Sequence, residues 1–322
     1  MKTFLLIISL AIPFLSHSQI LVESVEGDEI IQNPNGLANG HLLGSLNSND
    51  QSLQFKTYFA LPNNNGVMPL KYITAGIKAK PSDGVATLFS AGKFNASTNY
   101  NVGYTKIYLF TNREKESNLI DFVTVRYDFQ VNKYTLFKND TIFSKQVSNF
   151  NFNGSSLSFN YNLLVKGKHL ITAILGYTRT NNYSTLQGVE VKDYTRVYDS
   201  TSTTFREYGK TITGRQGTYE EFDRFPVRFA YTNCPSENEE DKDKLKIGYT
   251  IYYSTNLGKI KLISNIGGIL YLTKQSEKTG VRVPIIGLGI QSNDFFDVQN
   301  KGNSLSKRLT YSLTTTFNLA NF

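Results

Sequence analysis

The last strand-forming stretch of the chain is the clearest example of a pattern that recurs along most of its length. Leu309, Tyr311, Leu313, Thr315, Phe317 and Leu319 share one parity, and Arg308, Thr310, Ser312, Thr314, Thr316 and Asn318 the other. An extended strand built from them has one apolar and one wet face. The same unit appears where Leu157, Phe159, Tyr161, Leu163 and Val165 oppose Ser156, Ser158, Asn160 and Asn162. It appears again where Phe225, Val227, Phe229 and Tyr231 oppose Arg224, Pro226, Arg228 and Ala230, and where Leu245, Ile247, Tyr249, Ile251 and Tyr253 oppose Lys244, Lys246, Gly248, Thr250 and Ser254.

Further strands are expected at Phe55 to Leu61, Tyr72 to Ala79, Ala86 to Phe94, Tyr100 to Phe110 and Val123 to Val131, with Tyr134 to Phe137 and Phe143 to Phe152 as less regular successors. Leu170 to Arg179, Val189 to Tyr198, Phe205 to Thr213, Ile260 to Leu272 and Val281 to Ile290 complete the series. Turn formers punctuate it, as at Lys80-Pro81-Ser82-Asp83-Gly84, Lys166-Gly167-Lys168 and Asn256-Leu257-Gly258, because Gly, Asn and Pro supply the backbone angles that turns need. Beyond the N-terminus no segment keeps a helical period. The stretch from residue 53 to 322, at roughly 22 residues per strand and connection, predicts about twelve strands, with ten or fourteen as alternatives.

The N-terminus reads differently. Met1 and Lys2 precede an apolar run from Phe4 to Leu15, and Ser16-His17-Ser18 supplies small residues before Gln19. Residues 1–18 are therefore expected to be a cleaved secretory signal. Residues 19–52 are rich in Asn and Gly and poor in alternation, and are read as an N-terminal extension with a short strand near Glu29 to Gln32. No run beyond the signal approaches the roughly 18 apolar residues of a helix span. Any crossing of a bilayer falls to strands, and about eleven tilted residues are enough for one.

Several strands are expected to run nine residues or more, longer than the usual mode of about five or six. Basic residues sit on the polar parities, and Tyr177, Tyr198, Tyr231, Tyr253 and Tyr271 lie toward strand ends, where amphipathic rings suit a membrane interface. These features favour an antiparallel transmembrane β-barrel over a soluble secreted β-domain, which is the alternative. A Lys-led signal, Asn- and Tyr-rich alternating strands and a terminal Phe resemble the outer-membrane β-barrels of Gram-negative bacteria, and the Asn, Lys and Tyr bias is similar to that of the Bacteroidota. The resemblance implies a bacterial outer-membrane location, contact with outer-membrane lipids and lipopolysaccharide, and recognition of the last strand by the barrel-assembly machinery. Phe317, Leu319 and Phe322 are the candidates for that signal, although Phe322 falls on the parity opposite to Leu319.

Counting back from an inner C-terminus puts the tight Asn256 turn at the outer end, where long loops are expected. A strand gained or lost within Asp199 to Phe222 would explain this.

Composition sharpens the picture. There are 22 Phe and 20 Tyr with no Trp, so the apolar content is concentrated in large rings. Removing Lys2 with the signal leaves 33 basic against 26 acidic residues, a balance of +7. In an exported chain this points away from nucleic acid and toward an anionic membrane face or an anion-friendly interior. Arg126, Arg224, Arg228 and Arg308 are the lumen-facing basic candidates, and their guanidinium groups stay charged at any working pH. Small solutes are the expected partners, through a narrow passive pore with mild anion preference. A non-conducting barrel with a structural, adhesive or partner-binding role is the alternative, since inward side chains can fill so narrow a space.

No catalytic role is expected. His41 and His169 have no recognisable nucleophile motif beside them, and a pairing of His169 with a lumen serine is the weakest alternative. Cys234 has no partner for a metal site, and the acidic run Glu237 to Lys244 does not match a calcium loop. Neither cofactor nor metal is expected.

Overall fold

Alternation on this scale closes into a ring. The computed structural model describes residues 21–23, 29–32, 41–48, 52–61, 71–81, 89–90, 93–94, 96–110, 119–139, 142–166, 168–198, 205–233, 235, 244–258, 262–275, 282–298, 302 and 304–321. Twelve antiparallel strands form a closed barrel: β1 (His41–Asn47), β2 (Ser52–Ala60), β3 (Lys71–Pro81), β4 (Ala96–Phe110), β5 (Leu119–Phe137), β6 (Val147–Val165), β7 (His169–Asn181), β8 (Glu221–Asn233), β9 (Lys246–Gly258), β10 (Ile263–Gln275), β11 (Arg282–Ser292) and β12 (Leu309–Asn321). Each pairs with its neighbours in sequence, and β12 pairs with β1 to complete the ring, with His41 opposite Asn321. Closure leaves no open edge in the ring.

Both outer termini of the ring, the start of β1 and the end of β12, lie at one end, called here the terminal end. The tight turn at Lys166 (φ 51°) lies there, closed by Lys168 N donating to Val165 O at 3.1 Å. The other, loop end carries the long excursion from 182 to 220 between β7 and β8 and the 293–308 connection between β11 and β12.

The expected faces are present, and they are inverted relative to a water-soluble protein. Outward positions are apolar and exposed: Leu270, Leu288 and Leu313 lie directly opposite one another across three strands at 59%, 63% and 45% exposure. Inward positions include Thr232, Thr250 and Thr273, which are fully buried, and Lys56 at 1%. Some inward polar groups are matched across the ladder. Thr105 faces Thr124 with hydroxyls 2.8 Å apart, Thr232 faces Thr250 at 2.7 Å, and Thr172 donates to Asn162 Oδ1 at 2.8 Å. Such pairing is what buried polar atoms require.

Four readings of the sequence need correction. The ring begins at His41, inside the stretch taken as an extension, because β1 is only seven residues long and Gly44 interrupts its apolar parity. Val189 to Tyr198 and Phe205 to Thr213 do form strands, Gln187–Tyr198 and Phe205–Gln216, but as a hairpin outside the ring; it pairs with β5 where Arg215 and Gln216 run parallel to Leu136 and Phe137. Because two strands leave the ring there, the order of ends is unchanged, and the turn after Gly258 sits at the loop end. Ala86 to Phe94 gives only the two-residue pieces Phe89–Ser90 and Lys93–Phe94, paired with each other.

Conversely, Tyr134 to Phe137 continues β5, and Phe150 and Phe152 belong to β6. These are 19-residue strands joined through a single helical turn, Phe143–Gln146. The short strand Glu29–Gln32 is present and pairs with Leu21–Glu23. The signal, residues 1–18, lies outside the described residues.

Candidate functional site

The interior divides into two levels. Toward the terminal end, ten buried side chains from nine consecutive strands meet in one cluster: Tyr58, Tyr72, Ile107, Phe122, Leu164, Leu170, Ala230, Tyr252, Ile269 and Tyr271. Eight-stranded barrels are just filled by side chains, whereas sixteen strands leave an aqueous channel. Twelve strands need large rings to fill the same level, and four Tyr and one Phe supply them here. Tyr252 donates to Gln291 Oε1 at 2.6 Å and Tyr271 to the carbonyl of Asn233 at 2.8 Å, so these phenols are satisfied inside the cluster. Lys56 lies against it, with Nζ 5.3 Å from the centre of the Tyr58 ring.

Two of those rings rest on glycine. Tyr271 is paired with Gly248, and Tyr252 with Gly267, on β9 and β10. A Cβ at Gly248 would stand 2.2 Å from Tyr271 Cε2, and one at Gly267 2.3 Å from Tyr252 Cζ. Only a residue without a side chain lets the ring lie across the neighbouring strand.

Above the cluster, toward the loop end, the wall encloses a polar cavity of about 370 Å³. Lys78 and Lys80 of β3, Arg126 of β5, and Arg224 and Arg228 of β8 line it from inward positions. Asp128 is the one carboxylate in its lining among the described residues. Arg126 donates to it from Nε at 3.0 Å and pairs with it through Nη2, and Ser156 donates to its other oxygen at 3.3 Å. The guanidinium of Arg224 lies 4.8 Å from the centre of the Phe222 ring.

Three of the four basic candidates thus meet in one space. The fourth does not. Arg308 closes the 293–308 connection at the loop end, donating from Nη1 to the carbonyls of Asp294 at 2.5 Å and Phe295 at 3.0 Å. Its place just before β12 put it on the wet parity, but a 3₁₀ turn at Leu305–Arg308 turns it to the rim instead. Lys78 and Lys80, which the sequence reading passed over, share the inward parity of Tyr72 and Thr74 and could have been found from it.

The rings near strand ends separate in the same way. Tyr177 and Phe225 face outward together, centres 5.8 Å apart, just below Arg179 and Glu221, which pair at 2.8 Å. At the opposite end His169 Nδ1 meets Tyr231 Oη at 2.8 Å, and Tyr231 packs beside Tyr249. His169 therefore belongs to an outward aromatic band, away from the cavity. Tyr271 was expected in such a band and instead fills the lumen, while Tyr198 lies on the outer hairpin.

That hairpin is fixed to the rim. Tyr183 stacks on Tyr134 with centres 3.9 Å apart and donates to the carbonyl of Thr135 at 3.0 Å, and Arg215 donates to Leu186 O at 2.7 Å. Tyr219 packs edge-on to Phe150, and burial together with Glu221 pushes its phenol above the usual value.

In β12, Phe317 pairs with Gly44, but a bulge follows. Asn318 faces Leu43 and Ala320 faces Leu42, so Leu319 is the extra residue. Past a bulge the alternation of a strand resumes one position out of step. Phe322, Cys234 and the acidic run 237–243 lie outside the described residues. The chain matches no protein-family profile and no curated protein.

Proposed function

We propose that this chain is a Gram-negative outer-membrane β-barrel with a binding role, closed to passive flow. The cluster of ten side chains from nine strands carries the reading, since a conducting barrel needs a wetted path at every level. The outward apolar positions and the two aromatic bands support a bilayer around the ring, as in membrane barrels with apolar belts about 25 Å tall. A soluble domain would have its leucines inside and its threonines outside. The reading gives the chain no catalytic part, places it at its site by a cleaved signal, and takes lipids, lipopolysaccharide and the assembly machinery as its surroundings.

The test is planar-bilayer recording of the purified protein with liposome swelling in parallel. Neither channels nor swelling is expected. The second reading is a small passive pore with mild anion preference, and the basic wall of the cavity favours it. Anion-selective channels that lose selectivity in Arg224→Ala or Arg228→Ala would establish that reading and remove the first. Recovery in the soluble fraction without detergent, after expression with the signal intact, would remove both.

A further inference from the structure

Apart from the Arg126–Asp128 pair on β5 and Arg179 on β7, the cavity's charges are arranged on two walls. β3 and β8 stand five strands apart one way and seven the other, on nearly opposite sides of the ring, one carrying Lys78 and Lys80 and the other Arg224 and Arg228. Asp128, the carboxylate of the lining, sits on β5 with Arg126 and Ser156 already on it. Between the walls the lining is mainly hydroxyl and amide, from Gln54, Asn99, Ser158, Asn160, Thr178 and Asn256. Most small-molecule pockets of about this volume are chiefly apolar, so a hydrophobic ligand does not suit this one. Guanidinium groups favour the planar or tetrahedral oxygens of carboxylate and phosphate, and lysines bind phosphate as point charges.

Resting on the binding reading above, we infer that the cavity takes a small soluble bis-anion whose two anionic groups lie at opposite ends of a hydroxylated body, in the class of sugar bisphosphates. Opposed cations meet the two ends, and the amide and hydroxyl lining meets the hydroxyls between. A lipid headgroup carries the same chemistry. The unbroken sheet separates the cavity from any surrounding hydrocarbon, however, and the loop end is the route in, so the ligand is a free solute.

Titration calorimetry of the detergent-folded mature chain, its fold checked by heat-modifiable gel mobility, uses glucose 1,6-bisphosphate, glucose 1-phosphate and glucose as probes. The bisphosphate is expected to bind at least about tenfold more tightly than the monophosphate, the gain from one charge-assisted contact set. Glucose is expected not to bind. Lys78→Ala with Lys80→Ala, or Arg224→Ala with Arg228→Ala, should each bring the bisphosphate down to the monophosphate's affinity, while Arg196→Ala on the outer hairpin changes nothing.

Equal binding of the two phosphates, no binding of either, or insensitivity to both double variants would overturn the inference. So would displacement of the bisphosphate by phosphatidylethanolamine vesicles containing lipopolysaccharide, which would give the cavity to a headgroup. Conductance of the same preparation keeps the two readings apart: silent barrels that ignore the bisphosphate sink the ligand alone, and conducting barrels that bind it sink the closure alone.

Discussion

The ring of Tyr271 lies over Gly248 on the adjacent strand, so close that a Cβ there would stand 2.2 Å from Tyr271 Cε2. Gly248→Val is expected to cost about 1–3 kcal/mol through overpacking, and Tyr271→Ala about 3–5 kcal/mol through lost burial. The two should not add. Removing the ring opens the space that valine needs, so the double variant should be more stable than the sum implies by about 0.5–3 kcal/mol. Urea unfolding in detergent, read by gel mobility of unheated samples, measures all four proteins, and simple additivity would show that ring and glycine are not coupled.

The cluster also separates closed from open. Tyr58→Ala, Tyr72→Ala and Phe122→Ala together remove three of its largest side chains, each about 1% exposed. A channel is expected in planar bilayers where the parent shows none, and its selectivity should favour anions because the current then passes the basic wall. A silent triple variant that is folded by gel mobility would show that other levels of the lumen also close it.

Outward and inward positions should respond oppositely to charge. Leu288→Arg puts a cation in the middle of an outward row, at an expected cost of about 2–4 kcal/mol if hydrocarbon surrounds it. Lys78→Gln, on the inner wall, should leave assembly near the parent level. The heat-modifiable fraction in isolated membranes compares the two. An undisturbed Leu288→Arg would place that face in water.

Arg308 predicts a local effect. Its guanidinium bridges the carbonyls of Asp294 and Phe295, charge-assisted contacts of about 1.5–3 kcal/mol. Arg308→Ala should speed proteolysis within 293–308 without changing anion binding in the cavity, and Arg308→Lys should restore protection only in part because one ammonium cannot span both carbonyls as the fork does. Loss of anion binding in Arg308→Ala would return this residue to the lumen.

The bulge at Leu319 gives the last test. Deleting Leu319 removes the extra residue and shifts the residues after it by one position in the register. If the assembly signal is read as an outward face that includes the terminal position, this deletion should reduce insertion about as much as deleting Asn321 and Phe322. If Phe317 suffices, insertion should survive the second deletion and the fraction of folded protein in membranes will be unchanged.

Strict alternation made β6, β8, β9 and β12 legible, because one face had to be apolar and the other wet. β1 was hidden for a physical reason. Its seven residues hold a glycine and its inward face is Ser45 and Asn47, so nothing marks it apart from the turn-rich stretch around it. The outer hairpin was legible as two strands yet not as an excursion, since an exposed hairpin with Tyr194, Val197, Tyr198 and Tyr208 on its surface alternates as a wall strand does. Of the basic site, Arg126, Arg224 and Arg228 followed from parity, but Arg308 depended on a turn that parity cannot see. Tyr271 could not be told from an interface ring without knowing that Gly248 lies beneath it.

The pairing of His41 with Asn321 has a kinetic meaning. Eleven of the twelve strand pairs join neighbours in sequence, and those with tight turns, such as β6 and β7, can form as local hairpins, on the microsecond scale of isolated ones. The twelfth joins β1 to β12, so it cannot form until β12 has been made, and it carries the largest single loop-closure cost of the fold. Until then β1 and β12 each present an open edge. Closing that seam is the natural slow step of folding, and substitutions in β1 or β12 should slow the final phase while leaving the early hairpins untouched.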